Sequence, residues 1–294
     1  MCVLIYYMAD DARQGVTIRL VKSLNYNLQP AKWVQAKQQL TMKAPQLLGL
    51  AVSTILIATT SLRAQDNTLT DAEKAAGWQL LWDGKTSDGW RSAKSENFPS
   101  HGWFIENGIL TVHETGGKES AGGGDIITRK RYSNFELTAD FRTTKGCNSG
   151  IKIFVQPNLS PVGKPSGVGS AIGMEFQILD DLTHPDAKLG RDGDRTEGSL
   201  YDLIPAPKDK RILPVGEWSH ARILSQGKHV EFWLNGAKTV EFERGSPEFR
   251  HAVALSKFKN IEGFGEWPDG HILLQEHGSE VSFRNIKLRE LPAN

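Results

Sequence analysis

The sequence predicts an all-β fold of two packed antiparallel sheets, and three observations carry the prediction. Beyond residue 76 the chain is a series of short runs rich in β-branched and aromatic residues, separated by turn signals. Few segments carry the 3.6-residue periodicity of an amphipathic helix. Within the runs apolar and polar side chains alternate one by one, the period of a strand whose two faces meet different surroundings.

The elements follow in order. Thr70 to Ala76 (TDAEKAA) is a short helix, with Thr70 placed to cap it and Glu73 three residues on. The strand candidates are TVHE around Val112, DIITRKRY, FELTADFRT, GIKIFVQ, MEFQILD, WSHARILSQ, HVEFWLNG, HILLQEHG and EVSFRNIKLREL. Asn235-Gly236 tolerates the positive φ angles of a two-residue hairpin and joins HVEFWL to AKTVEFE. The stretch GGKESAGGG is a loop and lacks the GxxxxGK[ST] spacing of a phosphate cradle.

The chain has 294 residues, 39% hydrophobic and 23% charged, with a net charge of +1, the profile of an ordinary globular protein. Its basic residues are dispersed, so neither nucleic acid nor an anionic membrane is an expected partner. Met42, Lys43 and the apolar run Leu47 to Thr60 read as a secretory signal peptide over 42–64, too short for a spanning helix. Residues 1–41 are expected to be a gene-model extension, residues 65–294 one folded domain, and the location periplasmic or secreted. No stable membrane span remains after cleavage. Cys147 is the one cysteine beyond the leader and cannot form an internal bridge.

Parity sorts the strands into faces. Ile151, Ile153 and Val155 form one apolar set, with Asn148, Lys152 and Phe154 opposite; Phe176 and Ile178 oppose Glu175 and Gln177; Leu273, Gln275 and His277 oppose Ile272, Leu274 and Glu276. A plain solvent face is the common case for an antiparallel sheet. Here the polar set is Asn, Lys, Glu, Gln, Gln and His, groups that form hydrogen bonds with a hydroxylated ligand. Trp90, Trp103, Trp218, Trp233 and Trp267 are available for stacking on a sugar, although most tryptophans serve packing.

LLWDGKTSDGW (80–90), GWFIENGIL (102–110), NFELTADFRT (134–143), NSGIKI (148–153), GMEFQILDD (173–181), GSLYDL (198–203), GEWSHARI (216–223), FWLNG (232–236) and GHILLQEHGSEVSFRNIKL (270–288) occur in that order. The sequence thereby resembles a large bacterial family described as 3-keto-disaccharide hydrolases or 3-keto-glucoside 1,2-lyases and hydratases. The resemblance spans nearly all of residues 77–290. It implies a concanavalin-like jelly-roll sandwich and chemistry on glycosides oxidised at C3, where the ketone acidifies the C2 hydrogen and the group at C1 leaves by β-elimination. Rehydration completes a net hydrolysis. Such a site needs a base near C2, a group that holds the enolate oxygen, and an acid for the leaving group.

Under that resemblance Glu175 is the first choice for base or metal ligand. Lys152 or His277 serves enolate stabilisation or proton transfer, and Asn148, Gln177 and Gln275 bind hydroxyls. Asp180 and Tyr201 come next, with Trp218 as the aromatic contact. A cross-strand ion pair is the structural alternative for Lys152. A conventional glycosidase would set two carboxylates across the scissile bond, but Glu175 and Asp180 have opposite parity. A non-catalytic carbohydrate-binding module would use the same face without a base. No cofactor is assigned; a divalent metal, from which enolate chemistry would benefit, would draw on Glu175, Asp180 and His184, against the alternative of a solvated acidic loop. Cys147 has no histidine neighbour in sequence and reads as a packing residue.

Overall fold

A computed structural model describes residues 65–160 and 169–293. The leader segments, 1–41 and 42–64, lie outside the described residues. Helix α1 (Asp71–Ala75) opens with a complete capping box, Thr70 accepting from the Glu73 backbone while Glu73 reaches back to Thr70. There follow β1 (Gln79–Leu80), β2 (Trp90–Ser92), β3 (Trp103–Glu106), β4 (Ile109–Val112), β5 (Ile126–Thr128), β6 (Phe135–Thr143), β7 (Asn148–Gln156) and β8 (Ile172–Leu179). A 3-10 turn at Pro185–Lys188 precedes β9 (Trp218–Gln226), β10 (His229–Leu234), β11 (Ala237–Glu243), α2 (Pro247–Leu255), β12 (His271–Leu274) and β13 (Val281–Glu290). Among the described residues no helix is long and apolar enough to cross a membrane.

The strands form two antiparallel sheets. The larger runs β11-β10-β9-β6-β13-β4-β3, with β1 also on β13; the smaller runs β2-β5-β12-β7-β8. The all-β sandwich is therefore as expected. Asn235 and Gly236 have φ of 50° and 84°, both positive as the β10–β11 hairpin requires. One apolar cluster fills the space between the sheets. Phe176 of β8 meets Phe141 of β6 and Phe232 of β10 across it, at ring separations of 6.4 and 5.4 Å. Helix α2 was not among the expected elements: Ser246 caps it and Pro247 starts it, but Phe249 is its single buried residue, so it carries too little apolar pattern to be read as a helix.

β7 departs from simple alternation. Its pairing with β8 shifts register between Ile153 and Gln156, and Phe154 adopts φ of 54°. The bulge turns Phe154 into the inter-sheet core and sends Val155 to the other face, where it packs with Ala93, Ile127, Ala171 and Leu273. The expected parity of these two residues is thus reversed. A left-handed conformation costs about 1–2 kcal/mol; burying a phenylalanine, worth about 1.5–3 kcal/mol, offsets it. Gly270 lies so close that a Cβ there would come within 2.3 Å of Phe154 Cα. Upstream of the bulge parity holds: Ile151, Ile153, Met174, Phe176, Ile178, Ile272 and Leu274 all enter the core.

Candidate active site

The face of the smaller sheet that turns away from the core is not wet. Every residue of β8 and β12 is buried, because connecting segments cover that face. Between sheet and cover lies a cavity of about 330 Å3 lined by Asn148, Lys152, Glu175, Tyr201, Gln275 and His277, with Glu119, Ser170, Lys257, Phe258 and Ile261 among the covering residues. Antiparallel register sets Lys152 opposite Glu175 and Leu273 opposite Lys152, so β7, β8 and β12 present these side chains on one face. Six of the sequence-predicted residues therefore converge.

Its electrostatic centre is a lysine between two carboxylates. Lys152 Nζ lies 3.6 Å from Glu175 Oε2, so the cross-strand ion pair named above does form, with both side chains less than a tenth exposed. Lys152 also donates to Ser170 Oγ and, at 3.3 Å, to the Ala171 carbonyl. Ser170 in turn donates its hydroxyl to Asp125 Oδ2 at 2.5 Å, and Asp125 Oδ1 accepts from Glu276 N at 2.9 Å. Burial pushes the Glu175 carboxyl above the ordinary range, against the pull of Lys152, Lys257 and His277. Burial raises Asp125 in the same way, with Lys152 opposing. One ammonium thus serves two desolvated carboxyls, a setting that tunes a carboxylate for proton transfer.

Gly150 makes room for this arrangement: a Cβ there would lie 2.5 Å from Glu175 Oε1. The cavity wall is equally ordered. Tyr201 donates its hydroxyl to Asp186 Oδ2 at 2.9 Å, and Arg195 joins Asp186 to Asp202 at 3.0 and 2.7 Å. Burial, with Glu175 and Asp186 nearby, pushes the Tyr201 hydroxyl far up, so it remains a donor and its ring a wall. Lys257 is exposed as a residue, yet its Nζ stands 4.2 Å over the Tyr201 ring. Gln275 is buried, and its Oε1 has no hydrogen-bond partner. An unmet acceptor at a cavity wall suits a ligand hydroxyl.

Three expected residues do not line the cavity. Gln177 is fully buried beside it; the amide orientation that fits its surroundings donates to Ser149 O at 2.9 Å and Glu175 Oε1 at 3.1 Å, so it touches the carboxylate and not the open space. Asp180 follows the end of β8 and holds a turn, accepting from Gly146 N, Leu182 N and Thr183 N at 2.8, 3.1 and 3.3 Å. Partial burial works against its charge, but the hydrogen bonds from Thr183, Gly146 and Leu182 outweigh it and hold the carboxyl below the usual range. Trp218 begins β9 in the other sheet, between Arg142 and Arg284 at 4.8 and 4.1 Å from its ring. The cavity's aromatic residues are Tyr201 and Phe258.

The metal candidates Glu175, Asp180 and His184 are not gathered. His184 Nδ1 accepts from Asp186 N at 3.1 Å as a helix cap. Among the described residues the His/Asp/Glu group with ligand atoms in mutual reach is His229, Glu231 and Glu241, and Lys238 already pairs with both of its carboxylates. Cys147 is buried in the core, and burial pushes its thiol up, as a packing residue requires. Sequence reasoning missed Asp125, Ser170 and Lys257. Asp125 carried a usable signal, a lone acid before the apolar pair Ile126-Ile127.

A buried acid–lysine centre at a small cavity on an all-β sandwich suits acid–base chemistry on a small polar molecule, and comparison with known proteins makes the class specific. Residues 77–289 match the 3-keto-alpha-glucoside-1,2-lyase-like domain. The chain is 35% identical over 237 residues to a 3-keto-disaccharide hydrolase of Bacteroides thetaiotaomicron, covering 74% of this chain and 79% of that one. A crystal structure from Parabacteroides distasonis, provisionally described as a glycosyl hydrolase, superimposes with a TM-score of 0.65 at 30% identity, covering 78% of this chain and 100% of that one. The chain belongs to the 3-keto-alpha-glucoside-1,2-lyase-like family, a family of carbohydrate-active enzymes.

Proposed function

We propose that the protein cleaves 3-keto-glycosides by proton abstraction at C2 and β-elimination, with rehydration giving net hydrolysis. The observation that carries this reading is Glu175: a buried carboxylate with its basicity raised by burial, 3.6 Å from the Lys152 ammonium, in a ring-sized cavity. The relative's name, 3-keto-disaccharide hydrolase, supports the substrate class.

In this reading Glu175 takes the C2 proton, and the electron pair moves onto the C3 oxygen as an enolate. Lys152 stands beside that charge as it develops. Collapse of the enolate forms the C1–C2 double bond and breaks the bond from C1 to the leaving oxygen, which takes a proton from His277. Water then adds at C1 and gives His277 a proton, while Glu175, its proton exchanged with solvent once the leaving group has gone, protonates C2. Both groups regain their starting states. Gln275 and Asn148 bind ring hydroxyls.

Replacing Glu175 with Gln tests the assignment. Loss of a positioned base lowers turnover of a 3-keto-glucoside by about 10²–10⁴-fold with the circular dichroism spectrum retained; full activity in that variant removes Glu175 from the mechanism. The leader read from the sequence supports export to the periplasm or medium. Sequencing the N-terminus of protein from fractionated cells is expected to find a start near Gln65, and an intact leader on cytoplasmic protein would contradict it.

A further inference from the structure

A second cavity of about 270 Å3 adjoins the first, and His277 lines both. The two share a second wall: the loop after β4 gives Glu119 to the first and Glu114, Gly116 and Gly117 to the second. That loop is fixed by Glu276, which is wholly buried and accepts from Gly122 N at 3.0 Å and Gly278 N at 2.8 Å. Gly117 N and Thr115 N each donate to the Gly278 carbonyl at 3.0 Å. The approach is so close that a Cβ on Gly278 would meet Gly117 C at 2.5 Å. The second cavity is thus built into the fold.

Its lining is polar throughout. Glu114, Lys145, His184, Ser279 and Glu280 surround it together with glycine backbone, and no Phe, Tyr, Trp or aliphatic side chain takes part. The first cavity differs, with Phe258, Ile261 and Tyr201 in its walls. At about 330 Å3 the first lies at the lower end of small-molecule sites, roughly 300–1,000 Å3, and the second, at about 270 Å3, just below it, a size for one ring each.

We infer that the second cavity is the leaving-group subsite and that it accepts a hydroxylated pyranose ring, with Glu114 and Lys145 as specificity-determining residues. The inference rests on the reaction proposed above. His277 then stands at the junction where the bond between the two rings would lie. Glu114 and Lys145 stand at the exposed rim of the second cavity, where they can hydrogen-bond ring hydroxyls that an apolar aryl aglycone lacks, so the cavity favours the sugar.

The test compares a 3-keto-disaccharide with the methyl 3-keto-glucoside, using wild type and the Glu114→Ala/Lys145→Ala double variant. Loss of the polar contacts lowers kcat/KM for the disaccharide by about tenfold and leaves the methyl glycoside unchanged. An equal loss on both substrates, or no loss on either, overturns the subsite and leaves the reaction standing. Titration with free glucose reads the subsite without turnover, through the imidazole resonances of His184 and His277. If wild type cleaves neither substrate the reaction fails, and this titration decides the subsite: shifts in both rings that weaken in the double variant support it, and unmoved resonances overturn it.

Discussion

Glu175 owes its position to the residue diagonally across from it. Gly150 has an ordinary strand conformation and is required for space, since any side chain would press on the Glu175 carboxyl at 2.5 Å. Gly150→Ala is expected to retain the fold, at a cost of roughly 1–3 kcal/mol from overpacking, and to lose most activity; unchanged kcat would show that Glu175 does not need this seat. The acid limb of the kcat/KM profile follows from the same surroundings. Glu175 must be ionised to act as base and burial raises its pKa, so activity rises with pH through a midpoint above the ordinary 4.5. Because Asp125 and Lys152 couple to it, that midpoint belongs to the cluster. A limb at or below 4.5 would contradict the role. Lys152, Glu175, Gln275 and His277 were legible because strand parity sorts polar groups onto one face. Ser170 and Lys257 were not, since they reach the cavity from loops whose approach no local pattern encodes, and Asp125, which lies behind Ser170, showed only as a lone acid before Ile126-Ile127.

At the scale of elements, the loop after β4 is held by one side chain. Glu276 accepts from Gly122 and Gly278, and Glu276→Ala leaves both buried amides unpaired. Chemical unfolding is expected to show a loss of about 1–3 kcal/mol, with KM raised because the loop carries Glu119 to the cavity wall. A variant with unchanged stability and KM would mean that the loop stands without this anchor. Most strands were legible, as was the Asn235-Gly236 hairpin, whose chemistry is local. The bulge in β7 was not: Phe154 takes a left-handed conformation that its residue type does not favour, and tertiary burial decides it. Helix α2 announced itself only through Ser246 and Pro247.

The whole molecule carries a pH dependence of stability separate from that of activity. Glu197 is buried, with one carboxyl oxygen unpartnered. Burial, reinforced by Asp181 and opposed by Lys210, raises its pKa from 4.5 to about 8. Between those values the unfolded chain has released a proton that the folded chain still binds. The contribution of Glu197 to stability is therefore greatest below 4.5 and falls as pH rises toward 8, by at most about 1.4 kcal/mol per pH unit. Glu197→Gln is expected to flatten that slope in denaturant titrations; an unaltered slope would assign it elsewhere.

The two-sheet architecture was legible from composition and alternation, whereas the closure of the small sheet's outer face, which turns a polar strand surface into a buried site, depends on long-range packing. What the site does is tested most directly by following a 3-keto-glucoside in D2O by proton NMR. Elimination and rehydration through Glu175 predict deuterium at C2 of the released 3-keto-sugar, incorporated faster than by uncatalysed exchange and lost with Glu175→Gln. Release of a sugar that keeps its C2 proton would identify direct hydrolysis and contradict the account.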